Sequence, residues 1–120
     1  MAAPAHFQAQ FQVRVQPPVP IRSTGGLARV VVAGDVDMAA TGALSRALAR
    51  AARLRGVDVI QVDLTATTFL DAAAIGAILA ARNAAVARRK QLTVCGAVGL
   101  PRRMLEITGT LGVLDGKHAA

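Results

Sequence analysis

The sequence predicts a small α/β domain: a mostly parallel mixed β-sheet with an N-terminal hairpin and helices mainly on one side. Three observations predict it. Apolar runs of β type are separated by stretches whose apolar spacing changes from two to about 3.6 residues, in the order β-β-α-β-α-β-α. Strand–helix–strand units need crossover connections, which are right-handed and leave the joined strands parallel. The chain has 120 residues, 53% of them hydrophobic, which suits one domain around one core.

Residues 1–10 read as a tail, residues 11–114 as the domain and residues 115–120 as a second tail. Phe11, Val13 and Val15 alternate with Gln12, Arg14 and Gln16, the period of a strand with one buried face. Pro17, Pro18 and Pro20 are expected to stop that strand, and Thr24-Gly25-Gly26 reads as a turn. Leu27 to Ala33 is a continuous apolar run rich in valine, consistent with a buried strand that pairs with the first as a hairpin.

Gly34-Asp35-Val36-Asp37 is expected to end this second strand, and from Ala39 the spacing becomes helical. Leu44, Leu48, Ala51 and Leu54 share one face, and Arg46, Arg50 and Arg53 lie opposite. Asp37 or Thr41 can cap the start, and Gly56 suits the stop. Val57 to Leu64 reads as a central strand, followed by a polar loop over Thr65 to Thr68. A second helix is predicted from Ala72 to Arg89, with Asp71 as its cap and Ile75, Leu79 and Val86 facing inward. Arg82 falls on that inward face. It either carries its head to the edge or anchors an interface. Arg88, Arg89 and Lys90 crowd the last turn, where the helix dipole favours cations. Leu92 to Cys95 is a fourth strand, and Pro101 to Thr108 a third helix closed by Gly109. Leu111 to Leu114 is a last short element, read as a possible final strand.

Composition removes several function classes. Cys95 is the only cysteine, which excludes an intrachain disulfide and a cysteine metal cage. His6 and His118 sit in the two tails, so no metal site is expected, and no cofactor. The N-terminus lacks the charged and apolar regions of a signal peptide, and no run of about 18 apolar residues is present, so a cytoplasmic protein without membrane insertion is expected. The net charge of +7 raises nucleic acid as a partner. Three Phe and no Tyr or Trp leave little to stack on bases, and an acidic protein partner or solubility accounts for the charge equally well. Asp35, Asp37, Asp63 and Asp71 gather at strand ends without the polar anchors of a substrate pocket, and Gly96 to Gly99 lacks the lysine of a phosphate loop. No catalytic residue is assigned.

Two motifs carry a family resemblance. Gly34-Asp35-Val36-Asp37 resembles the G-E-L-D segment after the second strand of STAS domains. Phe69-Leu70-Asp71-Ala72-Ala73-Ala74-Ile75-Gly76 resembles the F-x-D-S-S-G-L-G signature before that family's second helix, and Val62-Asp63-Leu64 matches the strand leading to it. The likeness spans residues 11–114 and implies the fold of anti-sigma factor antagonists. In those proteins the first Ser after the motif Asp is phosphorylated by a serine kinase that is also the anti-sigma factor. The unphosphorylated form binds that kinase and frees the sigma factor.

Here Ala72 stands at the phosphorylated position, Ala73 at the second Ser and Ala74 at the Gly. The usual phosphate switch has no hydroxyl at Ala72. Thr67 and Thr68 remain as candidate acceptors, or as turn residues satisfying the backbone. The resemblance implies a contact surface at Asp37, Thr41, Asp71, Ala72, Ile75 and Gly76, on a monomer or weak dimer that binds an anti-sigma factor and is not an enzyme. Two alternatives stand beside it. One is a scaffold subunit of a stress-sensing or lipid-transport complex. The other is nucleic-acid binding through Arg46, Arg50, Arg53 and the Arg88-Arg89-Lys90 cluster.

Overall fold

The valine-rich runs assemble into one sheet. In the computed structural model, which describes residues 11–21 and 24–115, the strands are β1 (Gln12–Val15), β2 (Val19–Ile21), β3 (Thr24–Val36), β4 (Val57–Leu70) and β5 (Gln91–Cys95). The helices are α1 (Met38–Arg53), α2 (Ala72–Ala87), α3 (Gly99–Ile107) and α4 (Leu111–Leu114). β1 and β2 pair antiparallel with β3, whereas β3, β4 and β5 run parallel in the order β1-β3-β4-β5. This is the expected mixed sheet with its N-terminal hairpin. His6, His118 and the expected tails, Asp115 apart, lie outside the described residues.

Register separates the two faces. Ala28 stands beside Ile60 and Leu92, and Val30 beside Val62 and Val94. All six are buried. α1 packs across β1, β3 and β4, and α2 packs on α1 and β5. α1 buries Ala40, Leu44, Ala47, Leu48 and Ala51, which includes most of the stripe expected from its spacing. Burying one such leucine or isoleucine contributes about 1.5–3 kcal/mol. On the other face the rows Arg29–Gln61–Thr93 and Val31–Asp63–Cys95 stay half-buried or exposed. There the Arg29 Nε donates to Gln61 Oε1 at 3.0 Å. The helices thus lie mainly on one side, with α3 packed against β4 and α4 against α3 and β5.

The structure corrects five local expectations. Pro17 and Pro18 interrupt the edge strand without ending it: the chain resumes at Val19, and β2 pairs with the first residues of β3. Proline is tolerated there because an outer edge needs no donor to a further strand. Thr24, Gly25 and Gly26 belong to β3, not to a turn. β3 and β4 both continue past their expected ends, side by side, from Ala33↔Ala66 to Val36↔Leu70. Thr65 to Thr68 is therefore strand, as β-branched residues favour, and Gly34, with φ 87°, absorbs one of the register shifts. In α2 the buried positions are Ala74, Ile75, Ile78 and Ala85, so Val86, one residue further round the helix, is 51% exposed. Leu111 to Leu114 is a short helix rather than a strand.

The end of α2 differs from its expected stop. The helix finishes at Ala87, and Arg89 takes φ 62°, the left-handed region. The Arg89 N–H donates to Val86 O at 2.9 Å and the Lys90 N–H to Ala85 O at 2.8 Å. This closing pattern normally places glycine at the left-handed position.

Candidate partner-binding site

Parallel strands deliver their following helices to the same end of the sheet. β3 leads through Asp37 into α1 and β4 through Asp71 into α2, so the two motif loops lie side by side. The Asp71 N–H joins them directly by donating to Val36 O at 3.2 Å.

Both aspartates are helix caps. Asp37 Oδ1 accepts from the Ala40 N–H at 3.2 Å, and Asp71 Oδ1 from the Ala74 N–H at 2.9 Å. Each satisfies a first-turn donor that has no partner within its helix. The Thr41 hydroxyl donates to Asp37 O at 3.0 Å, so Thr41 supports the cap without being it. Asp37, Met38, Ala39, Ala72, Ala73 and Gly76 are exposed around these loops, and Asp71 and Thr41 are half-buried.

The expected contact residues separate on inspection. Asp37, Thr41, Asp71, Ala72 and Gly76 lie at or within two turns of this end of the molecule. Ile75 does not reach the surface: it is 3% exposed and belongs to the core. Position i+3 from Ala72 on this helix faces the sheet, not the solvent. Met38 was missed by the sequence reading and is 77% exposed at the first position of α1. Its signal was available, since it falls off the Leu44–Leu48–Ala51 stripe and an apolar side chain there has no core to enter.

The two candidate phosphate acceptors have different surroundings. Thr67 is 4% exposed and its hydroxyl donates to Val32 O at 2.9 Å, so it is sealed between β3 and β4. Thr68 is exposed, and its hydroxyl donates to Asp35 Oδ1 at 2.6 Å. Neither occupies the turn expected from the sequence.

The remaining polar groups are engaged locally. The Thr65 hydroxyl and N–H both donate to Asp63 Oδ1, at 2.6 and 2.9 Å. These bonds, with a smaller pull from Arg29, hold the Asp63 carboxyl below its usual range against a modest desolvation. Burial, helped by the Asp63 charge, pushes the Cys95 thiol up, which keeps it protonated and a poor nucleophile. The four aspartates thus face their own threonines and helix ends, and among the described residues no three His, Cys, Asp or Glu side chains gather around a metal-sized space. Arg82 is half-buried with its guanidinium 3.4 Å from Asn83 Oδ1, at the rim of α2. No helix among the described residues is long and apolar enough to cross a membrane.

One mixed sheet covered mainly on one side by helices, with paired capped loops at its carboxyl end, is the architecture that holds the site. The family profile described as "Mlab, STAS domain" matches residues 19–115, and the chain belongs to the STAS domain family. Among solved structures, an anti-sigma factor antagonist from Mycobacterium paratuberculosis superposes with a TM-score of 0.71 at 19% identity, over 88% of this chain and 84% of that one. The anti-sigma factor antagonist SpoIIAA in its unphosphorylated form gives 0.70 at 13% identity, over 90% of each chain. The phosphorylated form of the Bacillus cell fate determinant SpoIIAA gives 0.64 at 14% identity, over 90% of this chain and 94% of that one. At these identities the likeness is one of fold.

Proposed function

We propose that this protein is an anti-sigma factor antagonist, a cytoplasmic non-enzymatic binding module that regulates sigma-factor-dependent transcription. Its partner on this reading is an anti-sigma factor of the serine-kinase type. The observation that carries the reading is the position of Ala72. It is exposed as the first residue of α2, directly after the capping Asp71, where the two motif loops are hydrogen-bonded together. Met38, Ala72, Ala73 and Gly76 offer a partner an uncharged surface beside Asp37. A phosphate at this helix start would suit the local dipole yet would be costly to desolvate in a packed interface. With alanine there, the protein stays in its binding-competent form. Its control then lies in supply or in another modification, for which Thr68 is the accessible hydroxyl and Thr67 is not.

The test is a calorimetric titration of the purified chain against the host's kinase-type anti-sigma factors. Binding that is unchanged by preincubation with ATP, and lost in Ala72→Asp, is the expected result. Failure to bind any of them, or phosphate found on Thr67 under native conditions, overturns the reading. A second reading, a non-phosphorylated STAS scaffold subunit of a stress-sensing or lipid-transport complex, is favoured by the missing hydroxyl at Ala72. It predicts stable co-purification with that assembly in place of a kinase.

A further inference from the structure

α1 and α2 both end at the pole opposite the motif loops, and Lys90 ties those ends together by donating from Nζ to Ala52 O at 2.6 Å. That bond brings two basic segments, far apart in sequence, onto one surface. Arg50 and Arg53 stand in the last turn of α1, Arg55 in the turn after it, and Arg88 and Arg89 in the turn after α2, all exposed. None of the five guanidinium groups hydrogen-bonds or pairs with a carboxylate of another described residue, and the Arg102–Glu106 ion pair lies on α3. Asp58, the carboxylate at the start of β4, accepts instead from the Gly25 N–H at 2.6 Å.

Helix dipoles account for part of this, since cations near helix C-termini are favourable. They do not account for Arg89. Its φ of 62° lies where glycine closes a helix without strain and a side chain raises the backbone energy. The helix end would be better served by glycine, so what the arginine adds at this position is its charge. Strain of this kind, retained at an exposed charged position, points to a use for the side chain.

We propose that this pole is a docking surface for the acidic face of a partner protein, distinct from the motif end and able to be occupied together with it. Charge complementarity selects an anionic partner. Two features select protein over nucleic acid. The described aromatic residues, Phe11 and Phe69, are half-buried and offer no platform for bases. Val86, one turn before Arg89, is 51% exposed among the arginines, and an apolar side chain gains from a protein surface what a phosphate backbone does not supply. Arginine is among the residues enriched at the energetic centres of protein interfaces.

Fluorescence anisotropy tests this with a labelled glutamate-rich amphipathic helical peptide carrying leucine along one flank. The comparison probes are its Glu→Gln twin, duplex DNA, and vesicles containing phosphatidylglycerol. The intact chain is expected to bind the acidic peptide in preference to all three, with affinity falling as salt rises. Arg89→Gly is expected to weaken binding several-fold while leaving the melting temperature unchanged or higher. Arg53→Gln with Arg55→Gln and Arg88→Gln is expected to weaken it about tenfold. The proposal fails if the peptide binds no better than its Gln twin, or if duplex or vesicles bind more tightly. It fails equally if Arg89→Gly keeps full affinity or lowers the melting temperature.

Discussion

Asp71 lends itself to a quantitative test because its structural role can be separated from any role at an interface. Its Oδ1 accepts from the Ala74 N–H at 2.9 Å, while its own N–H donates to Val36 O at 3.2 Å. Asp71→Ala removes the first bond and leaves the second, which is backbone to backbone. The freed Ala74 N–H is buried, so water replaces the carboxylate poorly. A lost cap of this kind costs about 1 kcal/mol, rising toward 2 kcal/mol where the site is shielded. Asp71→Asn keeps an acceptor oxygen in place and loses only the charge at the helix start, about 0.3–1 kcal/mol. Urea denaturation followed by circular dichroism gives both values from the midpoints if the slopes agree. In a domain of this size the alanine variant should melt lower by about 3–6 °C for each kcal/mol lost. If Asp71→Ala is as stable as the parent, or if the asparagine variant is as destabilised as the alanine one, the cap is not what Asp71 contributes. An asparagine variant of near-parental stability that no longer binds the anti-sigma factor would assign the negative charge to recognition.

Other expectations follow from single contacts. The Asp63 carboxyl, held below its ordinary value of 3.8 chiefly by the Thr65 hydroxyl and then by the Thr65 N–H, adds stability that is full above that value and is lost as pH falls through the lower folded one. Asp63→Asn should therefore flatten the acid limb of the stability–pH curve, and an unchanged limb would contradict the assignment. Gly96→Ala should destabilise by more than about 1 kcal/mol, because φ is 77° and an added Cβ would run into the Thr65 hydroxyl. A thermal melt equal to the parent's would show that the β5–α3 turn adapts freely. Thr67→Val keeps the buried volume but removes the donor to Val32 O, and chemical denaturation should show a loss of about 1–2 kcal/mol. A neutral result would mean that the carbonyl finds another partner.

Much of this fold is legible in the sequence. The Leu44–Leu48–Ala51 stripe, the caps at Asp37 and Asp71, and the valine runs of β3 and β4 are local patterns, and each fell where its spacing placed it. What failed were readings that depend on a neighbour's position. Thr65 to Thr68 looks like a polar loop in isolation and becomes strand because β3 continues beside it. Val86 looks like an inward residue in an alanine-rich helix, whose apolar faces are too alike for spacing to fix its rotation; packing against α1 and β5 fixes it instead. Ile75 is inward, as its spacing predicts, and that burial takes it out of the contact surface which the motif implies.

The sequence by itself determined the alternation of strands and helices from β3 to α3, the caps that start α1 and α2 and the loss of the motif hydroxyl at Ala72, because each rests on residue type and short-range spacing. Only the tertiary structure decided which of these residues meet. The parallel crossover sets Asp37 beside Asp71 through the bond from the Asp71 N–H to Val36 O, and it brings Arg53 and Arg89 to one pole through the reach of Lys90 to Ala52. Such meetings depend on how β3, β4 and their helices are stacked, a property of long-range packing that no window of the chain contains.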